Sequence, residues 1–478
     1  MKPPRLYRRR TKIVCTIGPA SRSAAVIEKL IRAGMNVARL NLSHGTFREH
    51  ARYINTIRRV SKRLGINVSI LIDLPGPKYR IGKLKDDQAL LKKGSKVTLT
   101  ARAAEGDSTL IPVVPPSFSH DVKAGDTILL DDGAMRLRII SKEDTEITCR
   151  VMVGGTLTSG RGLAVPGMRI SGPFITENLK KHITFAIEEK PDYLAGSFIG
   201  SANDITSIRK ILHDHDTDIP IIAKIERGEA VKNFKSILPV SDGIMVARGD
   251  LGVDIPLEKV PLVQKEIIKE CNRAGKPVIT ATQMLESMLD SARPTRAEAT
   301  DVANSIFDGT DAMMLSGETA IGNYPVQAVT TMAKIAAETE SKMPHGKLMT
   351  ERAEWLERKT DELISYSACH IAYTLGAKAV VALTQSGSTA SRVSKYRPDM
   401  PVLALTTNSA VLGRLVLYWG VYPFLMNVVS SVDELFAKGA ELARDTGIAR
   451  TGDLIVITGG IPVGIAGSTN LLKVEKIL

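Results

Sequence analysis

Aromatic side chains are scarce: Phe, Trp and Tyr make up 4% of the 478 residues, with only two tryptophans. That weakens any reading as a platform on which single-stranded bases stack. No run approaches the roughly 18 apolar residues a membrane span needs, so a soluble chain with no membrane partner is expected. Cysteine is sparse too. Cys15, Cys149, Cys271 and Cys369 lie far apart without paired spacing, which suggests neither a disulfide framework nor a zinc cluster. The first ten residues carry Arg8, Arg9 and Arg10 with no apolar run behind them, so they read as a short basic tail rather than a removable signal. An intracellular, cytoplasmic protein is expected.

What is present is ordinary in bulk: 44% hydrophobic and 24% charged residues. The length suggests about two to four domains. The net charge of +13 is spread along the chain and interleaved with acids, which fits a solvated surface favouring anionic metabolites better than a nucleic-acid interface.

Short β-rich runs recur with helical patterns between them: IVCTIGP (13–19), NVARLNLS (36–43), SILIDLPG (69–76), YLAGSFI (193–199), IPIIAKIE (219–226), GIMVARGD (243–250), PVITATQ (277–283) and AMMLSGE (312–318). Eight such strands are the number at which a parallel sheet closes into a (β/α)8 TIM barrel. The gap between the third and fourth runs is too long for one helix. It holds alternating stretches, SKVTLTAR, GDTILLDDGAMRLRII and EITCRVMV, which predict an inserted small β-barrel over 83–165. The catalytic barrel then comprises 1–82 and 166–346. From 347 to 478, strands AKAVVALTQSG, PVLALTTN, VYPFLMN and DLIVITGG predict a separate α/β, Rossmann-like domain. The charged helical stretch TERAEWLERKTDELI links it to the barrel.

In a parallel barrel, polar residues at the C-terminal strand ends face the loops where ligands bind. This chain gathers them there: Arg39, Asn41, Ser43 and His44 after the second run, Asp73 at the third, Lys224 and Glu226 at the fifth. Arg248 and Asp250 follow at the sixth, Thr282 and Gln283 at the seventh, Ser316 and Glu318 at the eighth. Glu226 and Asp250 end adjacent strands, so their carboxylates can converge on a hard divalent cation, Mg²⁺ (or Mn²⁺) before zinc. Lys224 points to the same side as Glu226 and is placed to neutralise a transferring phosphoryl group. The ARGDLG segment (247–252) predicts a tight turn into a helix whose free N–H groups suit an anionic oxygen.

With those residues in place, the chain resembles the pyruvate kinase family over nearly its whole length. The matching stretches include TKIVCTIGPAS (11–21), GMNVARLNLSHG (34–45), AKIERGEAV (223–231), DGIMVARGDLGVDIP (242–256), KPVITATQMLESM (276–288), PTRAEATDVANSIFDGTDAMMLSGETAIGNYP (294–325) and TQSGSTASRVSKYRP (384–398). The resemblance implies phosphoryl transfer from phosphoenolpyruvate to ADP in glycolysis, giving pyruvate and ATP. It implies that Lys224 stabilises the phosphoryl group, Arg39 binds its oxygens, and Glu226 with Asp250 holds the metal. The Arg248 and Gly249 backbone with the Thr282 hydroxyl would hold the substrate carboxylate. Arg80, Asn41 and His44 would meet the nucleotide. Protonation would run through Thr282 or a water chain involving Ser316 and Glu318. A homotetramer is also implied.

The sequence departs from the family pattern in places. Asn41, Ser43, Asp73 and Leu74 occupy the monovalent-cation region, but Lys78 stands where a glutamate commonly accompanies K⁺. Its compact ammonium supplies that charge internally, so K⁺ is expected to be dispensable. Asn178 replaces a nucleotide-binding lysine, with Lys180 or Lys181 as neighbours, and Gly200 stands at a frequently basic position. The resemblance also implies a second divalent ion that enters with the nucleotide, and the inserted domain resembles a mobile lid whose turn, Asp131, Asp132 and Gly133, would reach that ion when closed. Thr384, Ser386, Ser388 and Thr389 resemble a loop that binds a phosphorylated allosteric effector, facing GGIPVGIAGSTN (459–470). A Mg²⁺-dependent lyase or aldolase acting on pyruvate-like enolates would use Glu226 and Asp250 equally well. A non-catalytic metabolite-sensing or RNA-binding role fits the catalytic set less well.

Overall fold

Runs rich in Val and Ile, bounded by Gly, Pro and Asp, make short buried parallel strands. The structure, a computed structural model, describes residues 9–131, 133–168, 170–429, 431–461 and 469–478. Eight parallel strands close into a barrel in chain order: Lys12–Thr16, Val37–Asn41, Ser69–Leu74, Tyr193–Gly196, Ile221–Ile225, Gly243–Ala247, Val278–Ala281 and Ala312–Leu315. The eighth pairs back to the first. Each of the polar residues picked out above lies within three positions of the C-terminal end of its strand, Arg39, Asp73 and Lys224 inside the strand and the others at its end or in the loop beyond.

The helices between strands follow local rules. Phe47–Leu64 starts with a capping box in which Thr46 and Glu49 cap each other and ends at Gly65 in the left-handed conformation (φ 64), which costs glycine nothing. Its His50, Ile54, Ile57 and Val60 are buried, the i, i+3, i+4 spacing of one apolar face.

Alternation along the strands decides what faces the barrel axis. Val14, Leu71, Ile222, Met245, Ile279 and Met314 form one interior cluster, joined by Val416 and Leu417 of the C-terminal domain, which plug the N-terminal end of the barrel. The same parity carries Thr16, Arg39, Asp73 and Lys224 to the opposite mouth, all of them buried.

A second closed barrel of seven strands interrupts the first. Its first strand is Tyr79–Ile81, which pairs with Leu110–Val114 and Gly162–Ala164. The small barrel thus begins a few residues ahead of the Lys83 expected from the sequence, because a three-residue strand is too short to show alternation. Its Leu129, Leu163 and Ala164 line one cavity with Glu226, Asp250 and Asp254 at the mouth of the large barrel, and just past its last strand the Gly167 N–H donates to Asp254 at 3.0 Å.

The C-terminal domain is a five-stranded sheet with helices on it. Four strands match the expected runs. The fifth, Thr469–Lys476, is an antiparallel edge paired to Leu454–Gly460 and was not anticipated. The charged link is broken into two helices, His345–Ala353 and Thr360–Thr374. Arg397 joins the domains: it is 2% exposed and donates to Asp311 (2.7 Å), Asn272 (2.9 Å) and the Gly309 carbonyl (2.6 Å). Among the described residues no helix is long and apolar enough to cross a membrane.

Candidate active site

The fifth strand brings Lys224 inward at the mouth, with Glu226 two residues on. Lys224 Nζ lies 2.8 Å from Glu226 Oε1, 3.2 Å from Asp73 Oδ1 and 2.6 Å from Ser197 Oγ, to which it donates. Arg39 Nε donates to Asp73 Oδ2 at 2.7 Å, and its Nη1 to Thr16 Oγ1 at 2.9 Å. Burial opposes the Lys224 charge, but the Asp73 and Glu226 carboxylates outweigh it and hold the ammonium above its ordinary value. Burial likewise pushes Asp73 up, yet Lys224 and Arg39 bring its carboxyl below the usual range. Removing one partner from such a buried set leaves an uncompensated charge, typically costing about 3–5 kcal/mol. The structure therefore brings Arg39, Asp73, Lys224 and Glu226 together as one unit.

Glu226 is 2% exposed, and burial raises its carboxyl, opposed by Lys224 and reinforced by Asp250. Its Oε2 accepts the Phe198 N–H at 2.7 Å, and Phe198 sits at φ 58. Asp250 lies in the first turn of the helix Arg248–Asp254 and pairs with Lys78 at 2.9 Å. Two carboxylates opening on one cavity, with hard oxygen donors only, suit Mg²⁺, which commonly takes one or two carboxylates and fills its shell with water and phosphate. Lys78, also 5.9 Å above the Phe198 ring, meets Asp250 directly. The ion pairs of Asp73 in the monovalent-cation region are with Arg39 and Lys224. Leu74 is buried there and offers no side-chain oxygen.

At the seventh strand the backbone turns sharply. Thr282 (φ 66) and Gln283 (φ 55) are both left-handed, a conformation that costs about 1–3 kcal/mol per residue and clusters at functional sites. The Gly249 N–H donates to Thr282 Oγ1 at 2.7 Å, and that hydroxyl donates to the Ala281 carbonyl at 2.6 Å. The structure thus brings Gly249 and Thr282 together, the amide of one bonded to the hydroxyl of the other. The Arg248 side chain turns to the Thr282 carbonyl (2.8 Å) and Asp301 (2.7 Å), so what Arg248 offers the mouth is its backbone.

At the eighth strand, Glu318 is 3% exposed and accepts the Ser316 N–H (2.7 Å) and the Leu285 N–H (3.2 Å). Burial raises its carboxyl toward the protonated form. The Ser316 hydroxyl is buried without a hydrogen-bond partner. It lines a cavity of about 490 Å³ together with Pro19, Arg39, Asn41, His44 and Tyr53. A second cavity, of about 430 Å³, shares Arg39, Asn41 and His44 and adds Ser43, Lys78, Arg80, Asn178, Lys224, Glu226 and Asp250. The two cavities meet at residues expected to face nucleotide. Burial, Arg80 and Arg39 lower the His44 imidazole from its ordinary value. Arg80, on the first strand of the small barrel, donates from Nη1 to the Gly160 carbonyl of the same barrel at 3.0 Å.

The lid turn and the C-terminal loop make contacts within their own domains. Asp131 is paired with Arg161 inside the small barrel at 3.1 Å, while Asp132 lies outside the described residues. In the C-terminal loop, Thr384 Oγ1 accepts the Gly387 N–H (2.9 Å) and Ser386 donates to Ser388 (3.1 Å). Thr389 is buried, its hydroxyl 2.7 Å from Thr469, so it ties the loop to the edge strand. Residues 462–468 of the facing loop lie outside the described residues. A side chain at Gly200 would meet the Glu229 carboxylate at 3.0 Å.

Ser197, Phe198 and Thr16 were not singled out from the sequence. Ser197, 6% exposed, lies just past the fourth strand. The strand-end rule that flagged the other runs applies to YLAGSFI as well.

The chain matches two family models, "Pyruvate kinase, barrel domain" over residues 8–329 and "Pyruvate kinase, alpha/beta domain" over 362–475. The chain belongs to the pyruvate kinase family. A pyruvate kinase of Bacillus licheniformis is 50% identical over 98% of this chain and 80% of its own length; one of Geobacillus stearothermophilus is 49% identical over 98% and 81%. A crystal structure of a pyruvate kinase from Cryptosporidium parvum superimposes with a TM-score of 0.93 at 35% identity, covering 99% of this chain and 97% of the other. Pyruvate kinase membership makes the chain a phosphotransferase. It gives no support to the lyase or aldolase alternative.

Proposed function

We propose that the mouth of the large barrel transfers the phosphoryl group of phosphoenolpyruvate to ADP, yielding pyruvate and ATP. The observation that carries this reading is the buried Lys224 ammonium held between Asp73, Glu226 and Ser197. Phosphoryl transfer demands little covalent chemistry and much preorganised positive charge. Lys224 supplies such a charge with its carboxylate partners already fixed, so no reorganisation is needed at the moment of transfer.

Mg²⁺, or Mn²⁺, held by Glu226 and Asp250 would supply Lewis-acid charge toward the phosphoryl oxygens. Arg39, oriented by Asp73 and Thr16, binds those oxygens. The substrate carboxylate binds at the start of the helix Arg248–Asp254, displacing the contact between Gly249 and Thr282 and taking hydrogen bonds from the Arg248 and Gly249 amides and the Thr282 hydroxyl. Asn41, His44 and Arg80 meet ADP in the two adjoining cavities. As the P–O bond to phosphoenolpyruvate breaks, a terminal ADP oxygen takes the phosphoryl group and the enolate of pyruvate remains. Protonation at C3 completes the reaction through Thr282, or through water held by Ser316 and Glu318. The small barrel closes over the mouth and excludes water, which would otherwise compete as acceptor.

The enzyme works without K⁺, because Lys78 carries a charge at the mouth and Leu74 offers no ligand. A phosphorylated effector binds at Thr384, Ser386 and Ser388, and the active assembly is a homotetramer. A cytoplasmic setting is supported by four cysteines that are all free and buried.

Pyruvate and ATP formed from phosphoenolpyruvate and ADP, measured in a coupled assay with Mg²⁺, is the deciding test. Cleavage or condensation of pyruvate-like enolates with no ATP formed would overturn the reading.

A further inference from the structure

One side chain bridges the two elements that make the carboxylate cradle, and the phosphotransferase assignment gives it no role. Arg248 is the first residue of the helix Arg248–Asp254, and its side chain is 11% exposed. Its Nη2 donates to the Thr282 carbonyl at 2.8 Å and to the Gln283 carbonyl at 3.1 Å; Nε reaches the same Thr282 carbonyl at 3.3 Å. Its Nη1 faces Asp301 on the helix Arg296–Phe307, 2.7 Å from Oδ2 and 2.8 Å from Oδ1. Gln264 Oε1 stands 3.4 Å away.

The two carbonyls that Arg248 grips belong to the two residues held in left-handed backbone, Thr282 and Gln283. Neither is glycine, and Thr282 is β-branched, so the local preference opposes this turn. A strained turn persists only where its surroundings over-determine it. The planar guanidinium fork is suited to that, since it holds several acceptors in fixed directions where an ammonium holds one point. The turn in turn sets the Thr282 hydroxyl against the Gly249 N–H.

We propose that Arg248, anchored by Asp301, is a positioning residue that holds Thr282 left-handed and so sets its hydroxyl against the Gly249 amide, at the corner where the substrate carboxylate binds. Asp301 fixes the plane of the guanidinium; Arg248 fixes the turn; the turn fixes the hydroxyl. The proposal rests on the phosphoryl-transfer reading for what Thr282 faces, but the brace itself is a statement about backbone geometry.

The test uses the full chain with Arg248→Lys and Asp301→Asn. Steady-state kinetics with phosphoenolpyruvate and ADP are expected to show kcat reduced by about 10²-fold in Arg248→Lys, the scale of a reacting group displaced by an ångström. The KM for ADP is expected to stay unchanged and the solvent deuterium isotope effect on kcat to rise, as proton delivery becomes limiting. Asp301→Asn, which keeps the guanidinium and loses only a part-exposed anchor, should fall between it and the wild type. Crystal structures of both variants give a readout independent of turnover, with Thr282 relaxing to negative φ and its contact to Gly249 lost. Should Arg248→Lys fail to fold, Asp301→Asn carries the same readouts. A variant that retains left-handed Thr282, or that shows wild-type kcat and isotope effect with only a lowered melting temperature, overturns the brace. A wild type that makes no ATP overturns the functional reading instead, and the crystallographic outcome still decides the brace.

Discussion

The Lys78 ammonium lies 2.9 Å from the Asp250 carboxylate, so the side chain expected to replace a monovalent cation rests on a proposed metal ligand. Lys78 also lines the cavity shared with Asn41, Ser43 and Glu226. Its charge belongs to the mouth as a whole rather than to the Asp73 corner, whose carboxylate is already matched by Arg39 and Lys224.

Turnover in K⁺-free buffer is therefore expected to change little on adding KCl, and Lys78→Glu to create a requirement for KCl. Activation of the wild type by roughly tenfold or more would show that an ammonium at this place does not substitute for K⁺.

Glu226→Gln and Lys224→Met are each expected to lower kcat by about 10²–10³-fold, the scale for losing one preorganised electrostatic contact. EDTA should abolish activity and Mg²⁺ restore it, with the melting temperature nearly unchanged, because Lys224, Phe198 and Lys78 hold the two carboxylates on their own. A large drop in melting temperature with EDTA would mean that the metal builds the site rather than using it.

Lys12 gives a pH dependence of stability. Its Nζ donates to the Val421 carbonyl at 2.6 Å and lies 4.3 Å from the centre of the Tyr422 ring. Burial, helped by Arg9, pulls the ammonium down from 10.5 to about 7, against Glu340 and Asp311. Between those values the unfolded chain binds a proton that the folded one lacks, so this group adds stability as pH rises through the window. Below about 7 the cost of burying the charge is complete. The wild-type melting temperature should rise between pH 7 and pH 9 relative to that of Lys12→Met; parallel curves would contradict the assignment.

Sugar phosphates and AMP titrated against the phosphoenolpyruvate saturation curve test the C-terminal loop. A shift is expected with one of them, and Thr384→Ala combined with Ser388→Ala should remove it while leaving the uneffected curve in place. An unchanged curve with all of them would leave the loop as helix capping.

The sequence by itself determined the barrel, because eight β-rich runs with helical spacers admit few other closures, and it determined most of the mouth, because strand ends announce themselves by a switch from apolar to polar residues. Arg39, Asp73, Lys224, Glu226, Asp250, Thr282 and Glu318 were legible on that rule. Tertiary structure alone decided which of them touch. Asp73 and Lys224 are 151 positions apart, yet inward parity on neighbouring parts of the barrel sets them 3.2 Å from each other. Ser197 entered the same network although the strand-end rule reaches it, since one serine after an apolar run is too common a pattern to stand out by itself. Where long side chains reach was hidden for a related reason. Arg248 turns away from the mouth to brace the Thr282 turn, and Lys78 reaches across to Asp250, because such choices depend on acceptors that only folding brings within hydrogen-bond range.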